Sequence, residues 1–268
     1  MKKYYEPDKV YRHVPAEPIP NEVRAQFLRP GELLSRQDAF SAAYQPVGTL
    51  EWHGRQNPIG CDALKAEALC VEAAKITGGV VMPTIYFSTD SVRDIGHGIG
   101  NGMDAAAGFQ LPGSFYKVDE RLLADFYKAA CGNYLSRGFK LVIIVSGHNA
   151  AAQQYLFDGI CYDMKSPEGA EPVAFTMEYT VLEPGHPKRT SDHAGYYETS
   201  MMMYLHGDRV NPRANDGCEI PELAIGTAGK LADASAAEGE ACFRLQVEGL
   251  SKLAKKKMYE LWSHSQKK

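Results

Sequence analysis

The run Lys140-Leu141-Val142-Ile143-Ile144-Val145 has no polar face to turn toward water. A strand of that composition is buried on both sides, as in a parallel sheet covered by helices. The flanking periodicity repeats the theme. An apolar segment near 44–50 precedes helical spacing from Cys61 to Ile76, which Gly78-Gly79 ends, and Val80-Val81-Met82-Pro83 reads as a short buried strand. Helical periodicity returns over Val118–Arg137 and stops at Gly138. Beyond the central strand come a helix near 150–163, a strand over Pro172–Met177 and a helix over about Gly195–Leu205. This alternation predicts a three-layer α/β/α sandwich with a mostly parallel central sheet and ligands at the carboxyl ends of its strands.

The flanks read differently. Residues 1–40 carry five prolines and mixed charge, which predicts an irregular N-terminal arm ahead of a single α/β domain over residues 41–268. Phe87 to Gly113 is rich in glycine, aspartate and serine, and is expected to be a long functional loop. The lysine-rich stretch from about Glu238 to Trp262 is amphipathic and is expected to be a solvated surface helix. At 268 residues and net charge -4 the chain can bury a sizeable core, and it offers no electrostatic attraction for nucleic acid or an anionic membrane. A polar N-terminus and the lack of a spanning apolar run predict a cytoplasmic protein with a small-molecule substrate. The six cysteines (Cys61, Cys70, Cys131, Cys161, Cys218, Cys242) show no C-x-x-C spacing, so neither a disulfide framework nor a zinc finger is expected. Cys61 adjoins Asp62 and is read as a bystander, because carboxylate and imidazole metal sites rarely need a thiolate.

Metal-ligand chemistry is concentrated in Glu51-Trp52-His53-Gly54 and Gly60-Cys61-Asp62. Residues two apart on an extended segment face the same way, so Glu51 and His53 can address one point. Asp62 can return to it from the following loop, and its two oxygens are able to bridge a pair of ions. Carboxylate and imidazole together suit zinc, manganese or iron(II) better than magnesium or calcium. His148, in Ser146-Gly147-His148-Asn149, emerges from the central strand at the same sheet edge and is read as a further ligand. A third cluster, Ser191-Asp192-His193-Ala194-Gly195-Tyr196-Tyr197-Glu198-Thr199-Ser200, reads equally as site residues or as a capped helix start. The methionines after it are expected to fill core.

In order and rough spacing, Glu51-x-His53-Gly54, Gly60-x-Asp62, Leu111-Pro112-Gly113-Ser114, Ser146-Gly147-His148-Asn149 and His193-Ala194-Gly195-x-x-Glu198-Thr199-Ser200 resemble the creatininase (creatinine amidohydrolase) family over about residues 44–215. The resemblance implies a hexameric homo-oligomer and one or two divalent metals per subunit, zinc first, then manganese or iron. It implies Glu51 and His148 on one metal, His53 on the second and Asp62 bridging, with His193 as general acid/base and Asp192 as its acidic neighbour. Creatininase has a glutamate ligand two residues after the histidine matching His148, where this chain has Ala150. Glu198 is the candidate replacement, with a structural hydrogen bond at the helix start as its rival role; otherwise water completes the second metal or that metal is absent. Arg55, Gln56, Asp90, Arg93 and His97 are expected to line a polar pocket.

The expected activity is hydrolysis of a small cyclic amide or amide-like C–N bond by metal-activated water. Ring opening of a keto-inositol or carbocyclic diketone uses the same site on another substrate. Two other classes are a non-catalytic metal or small-molecule binding protein and a metal-dependent isomerase or lyase that stabilises an enediolate.

Overall fold

The central strand pairs on both edges, as its composition demands. In the computed structural model, which describes residues 14–114, 117–216 and 231–266, the elements in chain order are α1 (Pro30–Ala39), β1 (Ala42–Val47), α2 (Cys61–Thr77), β2 (Val80–Val81), β3 (Val92–Asp94), β4 (Ile99–Asn101), α3 (Met103–Ala107), α4 (Glu120–Ser136), β5 (Leu141–Ser146), α5 (Ala151–Asp163), β6 (Val173–Met177), α6 (Tyr196–His206) and α7 (Ala236–Ser265). Four strands form a parallel sheet in the order β2-β1-β5-β6, with Ala42 opposite Leu141 and Val142 opposite Val173.

Alternation along the strands divides the core in two. Leu141, Ile143 and Val145 pack with Leu69 and Ala73 of α2, Met201 of α6, and Phe243, Val247 and Leu250 of α7. Val142 and Ile144 face Leu123 and Tyr127 of α4 and Phe157 and Ile160 of α5. Each large apolar side chain buried this way contributes about 1.5–3 kcal/mol of transfer free energy. The predicted three-layer α/β sandwich is present.

Three expectations need correction. Residues 1–13 of the expected arm lie outside the described residues, and the rest is not wholly irregular, because Pro30 starts α1 with Glu32 accepting the Arg29 amide. The buried Arg36 of α1 ties residues 14–29 to the body by donating to the carbonyls of Pro20, Glu22 and Gly79. The stretch Phe87–Gly113 is not one loop but an antiparallel hairpin, β3–β4, followed by α3. The C-terminal helix is only partly solvated, since Cys242, Phe243, Val247, Leu250 and Ala254 belong to the core. Its exposed lysines cluster toward the other end, so composition alone concealed the buried half.

Topology explains where chemistry gathers. The chain leaves β1 toward β2 on one side and returns to place β5 on the other, so β1 and β5 flank the switch point of the sheet. Loops leaving adjacent strand ends diverge there and open a crevice.

Candidate metal centre

Two glycines let the first turn of α2 close against that crevice. A Cβ on Gly48, just after β1, would lie 2.1 Å from Ala63 N, and one on Gly147, just after β5, would lie 2.0 Å from Asp62 O. Both positions therefore require glycine for close approach rather than for a special φ. The result drives the Asp62 side chain between the two strand ends.

Asp62 splits its oxygens. Oδ1 lies 3.0 Å from His53 Nε2, and Oδ2 lies 3.2 Å from His148 Nδ1, which is also 3.2 Å from Glu51 Oε2. Glu198 Oε2 approaches His53 Nε2 at 3.6 Å. Thr49 Oγ1 donates to Asp62 Oδ2 at 2.5 Å. Glu51, His53, Asp62, His148 and Glu198, singled out from the sequence, are thus brought together and buried. The donors fall into two groups that share Asp62: Glu51 with His148, and His53 with Glu198.

Outer partners aim the rings. His53 Nδ1 donates to Glu51 O at 3.1 Å, which leaves Nε2 free to coordinate, and Asp90 Oδ2 lies 3.5 Å from His148 Nε2, in a group of possible ligand atoms with Glu51 and His148. Orientation of this type is how imidazole ligands are held. Ser146 Oγ, accepting from Gln153 Nε2 and from His148 N, fixes the turn that presents His148.

The electrostatics call for positive charge. Burial would raise the carboxyls, yet His148 holds Glu51 below the ordinary range, His53 and His148 hold Asp62 well below it, and Lys65 and His53 hold Glu198 below it. Burial opposes charge on His53, but Asp62 and Glu198 outweigh it and push the imidazole up to about 9. His148 is driven well above its usual value, chiefly by Glu51 against the same opposition. Three ionised carboxylates around two imidazoles are balanced by protons or by metal cations. Four-coordinate zinc with 2.0–2.2 Å bonds sets its donors about 3.3–3.6 Å apart, and the four histidine–carboxylate separations here run from 3.0 to 3.6 Å. These carboxylate and imidazole donors fit a divalent cation.

The third cluster divides between site and helix. His193 Nε2 donates to Trp52 O at 2.6 Å, its ring centroid is 4.4 Å from that of His53, and it joins Glu51 and His53 in a group of possible ligand atoms within 4.8 Å of one another. Ala194 holds φ of 52°, a left-handed conformation uncommon outside glycine. Its carbonyl accepts from Gln56 Nε2 at 2.7 Å and its amide donates to Glu198 Oε2 at 2.6 Å. Asp192 goes to the helix start, where its oxygens accept from Tyr197 N and Glu198 N at 2.8 and 3.0 Å. Burial raises its pKa. That is the capping alternative, realised by the carboxylate expected beside the general acid.

The expected polar pocket is largely not assembled. Gln56 is buried as the brace of Ala194 and accepts from Asn215, while Arg55, Arg93 and His97 are exposed, the last two on the β3–β4 hairpin. Of that group only Asp90 reaches the centre. Cys61 is buried beside His53 and Glu198, within the same possible ligand group, and burial raises its thiol far above the usual range. Met201 and Met202 are core, as expected.

Two charged residues escaped the sequence reading. Lys65, one turn beyond Asp62 on α2, is 1% exposed and bonds Glu198 Oε1. Glu178, immediately after β6, lies 3.4 Å from Lys65 Nζ and accepts from Asn149 Nδ2 at 3.0 Å; burial pushes it up to about 7. The available signals were register and place: Lys65 shares the apolar stripe of Leu69, and Glu178 ends a strand at the edge that bears His148.

Known proteins share the sequence pattern and the fold. A family model described as creatinine amidohydrolase matches residues 28–254. A creatinine amidohydrolase of Pseudomonas putida is 25% identical over 180 residues, which cover 62% of this chain and 65% of that protein, just under two thirds of its length. Among solved structures, a manganese form of creatininase superposes with a TM-score of 0.67 at 20% identity, covering 88% of this chain and 98% of that one. A putative creatinine amidohydrolase from Bacteroides fragilis gives 0.66 at 19% identity, covering 89% and 97%. At such identities the superpositions speak for the fold.

Proposed function

This chain belongs to the creatininase family, and on that premise we propose that it is a divalent-metal-dependent hydrolase acting on a small cyclic amide or amide-like C–N bond. The observation that carries the reading is the division of Asp62, one oxygen toward His53 and the other toward His148. Glu51 and His148 would hold one ion, His53 and Glu198 the other, with Asp62 between them. Zinc or manganese suits this donor set, and solved relatives are described as carrying each. Divalent ions at these positions supply Lewis-acid polarisation of a carbonyl and activation of water near neutral pH.

The chain's own residues supply orientation and proton transfer. His193 keeps one proton on Nε2 against Trp52 O, so the lone pair of the neutral ring resides on Nδ1. Nδ1 takes a proton as water attacks and returns it to the departing nitrogen. Asp192 serves this step as a positioning residue, by anchoring the helix start behind the His193–Ala194 turn. Trp52, packed on Ala107 and Leu111, walls the site with apolar surface.

Elemental analysis of protein prepared without chelator, with an assay for released ammonia or amine on a panel of cyclic amides, tests the reading. Bound divalent metal and amine release are expected, with His193→Ala losing turnover but keeping its metal. A chain that binds no divalent ion refutes the proposal. Metal-dependent formation of a carboxylate without released nitrogen would instead assign a carbocyclic substrate.

A further inference from the structure

Lys65 is the buried lysine among the described residues. Its ammonium bonds Glu198 Oε1 and lies 3.4 Å from Glu178 Oε1, 3.5 Å from Gly147 O and 3.7 Å from Asp62 Oδ1. Removing a lysine and its carboxylates from water costs several kcal/mol per ion, and well-packed apolar side chains commonly serve stability as well or better. Stability is therefore a poor account of a cation placed here. The more telling fact is its asymmetry. Lys65 contacts Asp62 through Oδ1 and Glu198 through Oε1, both carboxylates of the His53 group.

We propose that Lys65 is a positioning residue that sets how many ions the centre holds: its ammonium is the resident cation of the His53 side, turning Glu198 so that Oε2 faces His53 while opposing a second divalent charge. The Glu51–Asp62–His148 position then fills first, and the His53–Asp62–Glu198 position fills second and more weakly. Like charges a few ångströms apart in a buried site repel strongly, whereas the first position lies on the far oxygen of Asp62. Glu178 moderates the effect by sharing the ammonium. The second position depends on Glu198, the group that Lys65 grips. This inference rests on the metal-centre reading above.

Calorimetric titration of metal-depleted protein with Zn2+ and with Mn2+, read as separate dissociation constants, tests it. The wild type is expected to bind two equivalents with the second at least about tenfold weaker, a gap of about 1.4 kcal/mol. Lys65→Met keeps the length of the stem and removes the charge. It should tighten the second equivalent by about tenfold or more and leave the first within about threefold. Glu178→Gln, which strips the ammonium of a counter-charge, should weaken the second equivalent. A lysine that merely supported the fold would loosen both equivalents together. An unchanged or weaker second equivalent in Lys65→Met overturns the proposal. If that variant does not fold, the wild type alone decides, because two equivalents of equal affinity overturn it as well. A wild type that binds no ion overturns both the metal-centre reading and this one, whereas bound ions with an unresponsive second site overturn this one alone.

Discussion

Gly147→Ala asks whether the close approach of α2 to the strand end builds the centre. The added Cβ would sit 2.0 Å from Asp62 O, 2.7 Å from Asp62 C and 3.0 Å from Asp62 Cα, where ordinary contact begins at 3.4 Å. All three neighbours are backbone, so no flexible side chain can swing aside, and the start of α2 must retreat by about 1.4 Å to restore contact. Overpacking of this kind costs about 1–3 kcal/mol. At about 2–4 °C per kcal/mol for a chain of this size, the melting temperature should fall by several degrees. The loss at the centre should be larger in proportion, because ligand distances tolerate only about 0.2 Å and Asp62 serves both donor groups. Differential scanning calorimetry with metal titration would show a folded protein with most of its ion affinity gone. Gly132→Ala and Gly159→Ala are controls of opposite sign: both glycines lie inside helices with nothing within 4 Å of the new atom, so each should stabilise by about 0.5–1 kcal/mol. Full metal affinity in Gly147→Ala would refute the claim that backbone closeness at this point positions Asp62.

Other outcomes follow from the same contacts. Gln56→Ala removes the 2.7 Å donation to Ala194 O and the acceptor of Asn215; urea unfolding should show a loss of about 1–3 kcal/mol, and a change under about 0.5 kcal/mol would remove Gln56 as the brace of the His193 turn. Chelation should lower the melting temperature and metal return should restore it, by about 2.7 kcal/mol of stability at a hundredfold excess over the dissociation constant; a melting curve indifferent to chelator would contradict the centre. Burial pushes the thiols of Cys131 and Cys161 up to about 12 and that of Cys242 up to about 11, with Cys61 and Cys70 raised further. At pH 8 about one in a thousand Cys242 side chains, and fewer of the others, is a reactive thiolate. Reactivity should rise with pH and on unfolding, and rapid modification of any of these five in native protein, mapped by mass spectrometry, would refute the burial argument.

Among the described residues no helix is long and apolar enough to cross a membrane, consistent with an apolar pattern devoted to core strands and helix stripes.

Local patterns carried the layered fold and the ligand types in this sequence. A continuous apolar run cannot face water, so Leu141–Val145 had to be a sheet centre, and helical spacing around it had to supply the covering layers. Strand ends then placed Glu51, His53 and His148 at one edge, because a buried parallel sheet exposes its loops there. What the tertiary structure decided were contacts between residues far apart in the chain. Lys65 has the composition of a surface lysine, and only the packing of α2 under β5 and α6 encloses it with Glu178 and Glu198. Gln56 and Asp192 look like pocket or catalytic groups in sequence, yet their hydrogen bonds go to the Ala194 turn and the start of α6. Residue type and spacing specify what a side chain is able to bind; which partner it finds depends on the distances that folding sets, and those are properties of the assembled layers.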